Sequence, residues 1–571
     1  MKTKWGEILD KNNILKEYPR PQMERDSYLN LNGLWEYAIT ETESIPDKFH
    51  GDILVPFSPE SELSGVTLSK PLTPTETLWY KRTVKLPPVF NVGRVILHFG
   101  AVDQTATVYI NGTQVCSHVG GYTSFSVDIT NYLMESNLIV VKVRDFTDTT
   151  YHSRGKQKTE RGGMWYTPQS GIWQTVWMES VPNDYISSLR ITPLFDESAV
   201  ELIVTSKSSK LCHARVGKTM ISFLSNQSAR LPMKGFMPWT PESPQLYDLV
   251  VTLGKDCVKS YFGMRKFSVE VDDSGVKRLF LNNKPYFHNG LLDQGYYSDG
   301  MYTAPSDEAM IFDIETAKKM GFNMLRKHIK IEPLRWYYHC DRIGMLVWQD
   351  MINGGGDYRR IIVTYPLMTC IHIKDSHYKW FAREDEEGRK QYYKELDEMI
   401  KHLYNSVSIA MWVPFNEGWG QFDAKEAVNR ILSIDSTRTI DHASGWHDQK
   451  VGDIKSHHVY FKEYKFKKDK LKRAVILSEF GGYNCRIKGH CFSENDYGYK
   501  KFDTPEVLFE AYKELYQDEI IPARDKGLSA AVYTQLTDVE DELNGLITYD
   551  RKVIKMDVEK IKKINNRLEG V

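Results

Sequence analysis

Residues 408–420 read SIAMWVPFNEGWG, and this stretch carries both the fold and a candidate site. Ile409 to Val413 form an uninterrupted apolar run of strand length, the pattern of a strand buried on both faces. Pro414 lacks an N–H for the ladder and ends it. Phe415, Asn416 and Glu417 follow, with Gly418, Trp419 and Gly420 forming a sharp loop. A carboxylate just past a core strand is costly to bury without a use. In parallel α/β folds that position lies at the C-terminal mouth of the sheet, where chemistry collects.

A second stretch repeats the arrangement. Residues 473–483 read RAVILSEFGGY, a short apolar run from Ala474 to Leu477 that ends in Ser478, Glu479 and a glycine pair. Two carboxylates on opposite sides of a sugar are the minimal equipment for glycoside hydrolysis. With Asn416-Glu417 and Glu479 in this order, the chain resembles glycoside hydrolase family 2, the β-galactosidase, β-glucuronidase and β-mannosidase family. The resemblance implies an acid/base Glu417 after the fourth barrel strand and a nucleophilic Glu479 after the seventh. It implies further that Asn416 binds the sugar 2-hydroxyl, and that Arg326 after strand two and Tyr460 after strand six contact the nucleophile.

Outward from these motifs, the rest of the chain divides into three. Residues 1–182 show short alternating runs broken by turn residues, as in LNGLWEYAI (31–39), LWYKRTVKL (78–86) and ATVYINGTQV (106–115). Asn111-Gly112 is a strong hairpin signal. This is a β-sandwich pattern, which the resemblance sharpens to a jelly roll. Asp103, Tyr122 and Trp165 are candidate rim residues, although a role within the sandwich itself is the favoured reading. Residues 183–267 form a second β segment, immunoglobulin-like by resemblance, and short enough that one strand is expected to be missing. From 268 to 571 the pattern alternates strand and helix. KPYFHNGLL (284–292), FNMLRKHI, MLVWQD, SIAMWV, RTIDHAS, SHHVY, AVILSEF and SAAVYTQL read as eight successive strands, predicting a (β/α)8 TIM barrel. The fold class is therefore multidomain: jelly-roll sandwich, immunoglobulin-like sandwich and TIM barrel. Residues 351–387, with GGG (354–356) and YRR (358–360), read as a long loop over the barrel mouth.

Composition narrows the function further. The 571 residues carry 74 Lys and Arg against 75 Asp and Glu, so neither nucleic acid nor an anionic membrane is implied as a partner. Aromatic residues make up 12%, with 13 Trp and 33 Tyr, which suits both sugar stacking and sandwich cores. The seven cysteines (116, 212, 257, 340, 370, 485, 491) show neither disulfide nor zinc spacing and read as free thiols of a reducing compartment. The N-terminal residues have no apolar signal core, so a cytoplasmic location is expected. No cofactor is required, a structural or activating cation is left open, and so is homo-oligomerisation.

Departures from the family pattern bear on the sugar. After the strand-two Arg the family commonly reads Ser-His-Tyr-Pro. Here Lys327, His328, Ile329 and Lys330 follow, and His328 falls one position early as a sugar contact. Asp293 and Gln294 after strand one, with Gln349 and Asp350 after strand three, are candidates to hold hydroxyls. Glucuronidases of the family carry Asn-x-Lys after strand eight. Here VEDELNGLITYD has Asn544 without the lysine, and its acidic residues are poor hosts for a carboxylate. A retaining exo-β-glycosidase for neutral sugars, galactosidase-like, is expected first. β-Mannosidase, β-glucuronidase (with Lys327, Lys330 or Arg359-Arg360 as the cation) and a non-catalytic carbohydrate-binding protein are the alternatives.

Overall fold

The structure is a computed structural model that describes residues 1–369 and 372–568; Cys370 lies outside the described residues. The six described cysteines are unpaired. No helix among the described residues is long and apolar enough to cross a membrane.

The N-terminal sandwich packs a six-stranded antiparallel sheet on a four-stranded one. Alternating inward side chains such as Trp35, Leu78, Tyr80, Leu97, Val108, Ile139 and Val141 fill the space between them. Thr105–Ile110 and Thr113–Val119 form the hairpin signalled by Asn111-Gly112, and both turn residues have positive φ (50° and 83°), the backbone that a type I′ turn requires.

The second sandwich corrects one expectation. It has three strands on one sheet and four on the other, so no strand is missing from the seven of this fold. Leu211–Val216 and Ser228–Pro232 were hidden in the sequence. Their remaining positions face partly or wholly outward, and only Cys212, Ala214, Val216 and Leu231 reach the core.

The third unit is an eight-stranded parallel sheet. Its strands are β1 His288–Asp293, β2 Met324–Lys327, β3 Leu346–Asp350, β4 Ile409–Val413, β5 Thr439–Ile440, β6 Ile454–Val459, β7 Ala474–Gly481 and β8 Leu528–Thr534. They run β5-β4-β3-β2-β1-β8-β7-β6, the order of a (β/α)8 barrel left unpaired only at the seam beside the two-residue β5. Lys284–Pro285, expected to begin β1, pairs instead with Lys277–Leu281. With Phe267–Val271 these residues make a small antiparallel sheet. Its Phe267, Leu279 and Leu281 pack against Met324, Leu346, Trp348, Ile476 and Val532 of the barrel strands, closing one end with apolar contacts and leaving the chemistry to the strand C-termini.

Helices on the outside follow local rules. Asp307–Lys319 starts with Asp307 and Glu308 and ends with Lys318 and Lys319, charges that complement the helix dipole. Asp385 caps Glu386–Leu403 by accepting from the Gly388 N–H at 2.7 Å. The chain from β3 to that helix contains two short helices, Arg360–Val363 and Pro366–Thr369.

Candidate active site

β4 is buried at every position, which fixes the point where the chain leaves the barrel. Glu417 then adopts φ 49° and Gly418 φ 71°. A β-carbon at Gly418 would meet the His447 ring at 2.6 Å, so the turn demands glycine. The strained Glu417 backbone is held from both sides. Its N–H donates to Ser444 O at 2.9 Å, and its carbonyl accepts from Trp446 Nε1 at 2.9 Å. Strain held by surrounding contacts is typical of functional positions.

Glu479 differs from the expectation that it would follow its strand. β7 continues to Gly481, and its pairing shifts register on both sides of the glutamate, beside β6 and beside β8. Such a bulge re-aims side chains locally. Ser478 Oγ bonds to Ser444 Oγ at 3.0 Å, and Glu479 joins the network at the heart of the barrel.

Arg326, at 0% exposure, organises that network. Its Nε and Nη2 donate to the two oxygens of Asp350, each at 3.0 Å. Nη1 donates to Glu479 Oε1 and Ser478 O, each at 3.1 Å, and Nη2 also donates to Asn416 Oδ1 at 2.9 Å. Tyr460 donates its hydroxyl to Glu479 Oε2. A buried guanidinium with every direction matched is the condition under which burying such charges is tolerable.

The two glutamates face each other at short range. One oxygen of Glu417, one of Glu479 and a ring nitrogen of His458 lie within 4.8 Å of one another. His458 Nδ1 is 2.8 Å from Glu417 Oε1, and Nε2 is 3.6 Å from Glu479 Oε1. Among the described residues this is the one trio spaced to hold a metal ion. The carboxyls are pushed in opposite directions. Burial raises Glu417, as does the charge of Glu479, against the pull of His458 and Lys156. Burial also acts to raise Glu479, but His458, Arg326, His328 and the Tyr460 hydroxyl outweigh it and hold that carboxyl below its ordinary value. Burial keeps the Tyr460 hydroxyl protonated as a donor.

The other candidates separate into those at the network and those committed elsewhere. His328, despite its shifted position, places Nδ1 2.7 Å from Asp350 Oδ2; burial holds it well below the usual histidine value, with the Lys156 charge next. Asp350 is used up by Arg326 and His328, so it positions them and has little left for a hydroxyl. Trp419 is buried beside His328, their ring centroids 6.2 Å apart. Asp293 is committed to Lys327 at 2.7 Å and to the Gly295 N–H. Gln294 donates to Gln535. Gln349 bonds to Tyr337, Lys330 O and Asp350 O. Lys327 and Lys330 both donate to Glu332, which makes them structural cations inside the barrel, while Arg359 and Arg360 are exposed on the loop.

Two features at the site have no signal in the motifs. One is His458, two residues before Tyr460 and on the same face of β6 by strand alternation. The other comes from the first sandwich. The segment between its strands Asn137–Arg144 and Gly171–Ile172 reaches into the barrel mouth. Ser153 bridges Gly354, the Arg154 N–H donates to Asn353 O at 2.9 Å, and the Arg154 guanidinium donates to Gly355 O and Gly356 O. Trp165 packs on Trp419 with ring centroids 5.3 Å apart, so its favoured sandwich role is corrected to a rim position. Asp103 and Tyr122 instead accept from Gln157 at 2.9 and 3.0 Å and support this segment from below. Gly155 makes the passage possible. Its φ is 65°, and a β-carbon there would meet Tyr302 Oη at 2.8 Å and Tyr122 Oη at 2.9 Å. Gly155→Ala is expected to cost about 1–3 kcal/mol of stability, read as a lower midpoint in thermal melts; an unchanged midpoint would show that the segment relaxes freely.

The chain belongs to glycosyl hydrolases family 2. Residues 28–182 match the profile described as its sugar binding domain, 196–265 the central "Glycosyl hydrolases family 2" profile, and 269–566 its TIM barrel domain. Among curated relatives, a beta-galactosidase of Thermoanaerobacter pseudethanolicus is 26% identical over 394 residues, 63% of this chain and 47% of that protein. A beta-glucuronidase of Streptococcus agalactiae is 22% identical over 428 residues, 70% and 68% of the two chains. The chain spans 34–47% of the length of the first curated relatives it matches. Among solved structures, the beta-D-glucuronidase of Dictyoglomus thermophilum aligns with TM-score 0.74 at 19% identity, covering 96% of this chain and 98% of that one. A beta-galacturonidase of Eisenbergiella tayi aligns with TM-score 0.71 at 18% identity, covering 97% and 98%. These structural likenesses concern the fold.

Proposed function

We propose that this protein is a retaining exo-β-glycosidase in which Glu479 is the nucleophile and Glu417 the acid/base. The observation that carries the reading is the pair of carboxylates, one in the loop after β4 and one in β7, with oxygens within 4.8 Å and opposite pressures on their protons. Retaining enzymes need about 5–5.5 Å between carboxyl groups, whereas inverting ones leave about 6.5–9.5 Å for a water. Glu479, kept ionised by Arg326 and Tyr460, attacks the anomeric carbon. Glu417, kept protonated by burial, delivers a proton to the leaving oxygen and later takes one from the incoming water. Asn416 is oriented by Arg326 through Oδ1, and its Nδ2 is buried without a protein partner. That leaves a donor for the sugar 2-hydroxyl, a bond that strengthens in the transition state. This chemistry draws only on side chains and water. The carbohydrate-binding alternative has no use for two carboxyls pushed apart in pKa.

The pH dependence follows. Activity rises as Glu479 ionises, on an acid limb below the ordinary glutamate range, and falls as Glu417 loses its proton, on an alkaline limb above that range. Glu417→Gln should lower kcat/KM by about 10²–10⁴-fold on glycosides with poor leaving groups. The loss should be far smaller on dinitrophenyl glycosides, azide should rescue it, and the alkaline limb should disappear. Equal losses on both substrate types without azide rescue would remove the acid/base assignment.

The neutral, galactosidase-like reading of the sugar rested on the acidic strand-eight loop and on the want of a nearby cation. In the folded chain the acids of that loop are engaged: Asp538 with Lys555, Glu540 and Asp541 with Arg161, Glu542 with Tyr166 and Asn544. The relatives include both a galactosidase and a glucuronidase, so the charge of the glycone turns on what else lines the pocket.

A further inference from the structure

Lys156 is 6% exposed. It follows Gly155 and Arg154 on the sandwich segment pinned to the barrel mouth. Its Nζ lies over the Tyr166 and Trp419 rings, 5.5 and 5.8 Å from their centroids. The Trp419 ring beneath it packs beside His328, and its charge reaches Glu417, Asp350 and His328. The other buried cations here are spoken for: Arg326 by Asp350 and Glu479, Lys327 by Asp293 and Glu332, Lys330 by Glu332, Lys555 by Asp538. Lys156 has no carboxylate within 4.0 Å and no hydrogen-bond acceptor among the described residues, only the two ring faces. A largely buried lysine without a counter-ion is costly, and here the fold holds one in place. The tight passage at Gly155 and the four contacts to residues 353–356 have the effect of fixing where Lys156 ends up.

We propose that Lys156 is the anion-binding group of this site and selects glycones that carry a negative substituent. The inference rests on the glycosidase reading above and adds the substrate class to it. A carboxylate entering the pocket would gain a charge-assisted bond to an ammonium that no protein carboxylate neutralises, whereas a neutral sugar would leave that ammonium unmatched. Uronides present the charge as a C6 carboxylate, sulfated glycosides as a sulfate ester. The binding group comes from the sandwich, so the site does not depend on the lysine missing two residues after Asn544.

The test is kcat/KM for nitrophenyl β-glucuronide, β-galacturonide, β-galactoside 6-sulfate, β-galactoside and β-glucoside at one pH and ionic strength. It is run on the wild type, Lys156→Met and Lys156→Arg, with melting temperatures as a check on folding. The wild type should favour an anionic glycoside over its neutral counterpart by about 100-fold. The uronide and sulfate arms identify the anion. Lys156→Met should collapse that ratio, and Lys156→Arg should restore part of it. A wild type that favours the neutral glycoside overturns the inference and leaves the glycosidase reading intact. So does a Lys156→Met ratio equal to the wild type's with both pH profiles shifted alike, because Lys156 would then act only on Glu417. If no glycoside of either charge is turned over, the glycosidase reading fails and this inference falls with it.

Discussion

Glu479→Gln is expected to lower kcat on the order of 10⁴-fold or more on every glycoside the wild type cleaves, whatever its leaving group. The amide cannot attack the anomeric carbon, yet its oxygen can still accept from Arg326 while its NH2 donates to the Tyr460 hydroxyl oxygen, in place of the two carboxylate oxygens that accept from them at present. Folding should therefore survive, and the melting temperature should stay within a few degrees. The contrast with Glu417→Gln is the informative part. Loss of the acid/base is graded by leaving-group quality, while loss of the nucleophile is not. In Glu479→Ala, azide should enter from the vacated face and give a product of inverted configuration, readable by NMR. A Glu479→Gln enzyme within tenfold of wild type would falsify the nucleophile assignment.

Arg326→Met should damage stability and catalysis together. It leaves Asp350 and Glu479 buried without the guanidinium that bridges them and frees Asn416 Oδ1. Breaking a buried pair by removing one partner costs about 3–5 kcal/mol, visible as a lower midpoint in urea. The sign on the pH axis is also set. Glu479 now titrates below its ordinary value, so its ionised form contributes stability that is present above the unfolded-state pKa and is lost as pH falls through the folded one. Without Arg326 that pKa rises, and the acid limb of kcat/KM should move to higher pH. Arg326→Lys keeps the charge but cannot reach Asp350, Glu479, Ser478 and Asn416 at once, so it should restore part of the stability and little of the rate. An acid limb that stays in place in Arg326→Met would show that Tyr460 and His458 suffice to keep Glu479 ionised.

The sequence by itself determined what is local. An apolar run ended by Pro414 declares a buried strand and the point where it stops, and Asn111-Gly112 declares a turn that only permissive residues adopt. The alternation of strand and helix after residue 268 and the two strand-end glutamates identified the barrel and its mouth, because strand-end position is one-dimensional information. It could also place Arg326 and Tyr460 at the ends of their strands.

Only the tertiary structure decided who pairs with whom. Asp293, Asp350, Lys327 and Lys330 sit at strand ends like true ligands. Whether such a charge meets a sugar or a neighbouring strand depends on register across the barrel, and here all four are taken by protein partners. The bulge at Glu479 arises from pairing with β6 and β8, which no stretch of β7 encodes alone. Lys156 was the least legible of all. It is far from the barrel in sequence and lies in a segment without periodicity. Its position depends on Gly155 slipping between Tyr122 and Tyr302, and on Arg154 binding the carbonyls of residues 355 and 356. A contact between distant parts of the chain leaves no pattern in either part, which is why the two strand-end glutamates stood out in the sequence and Lys156 did not.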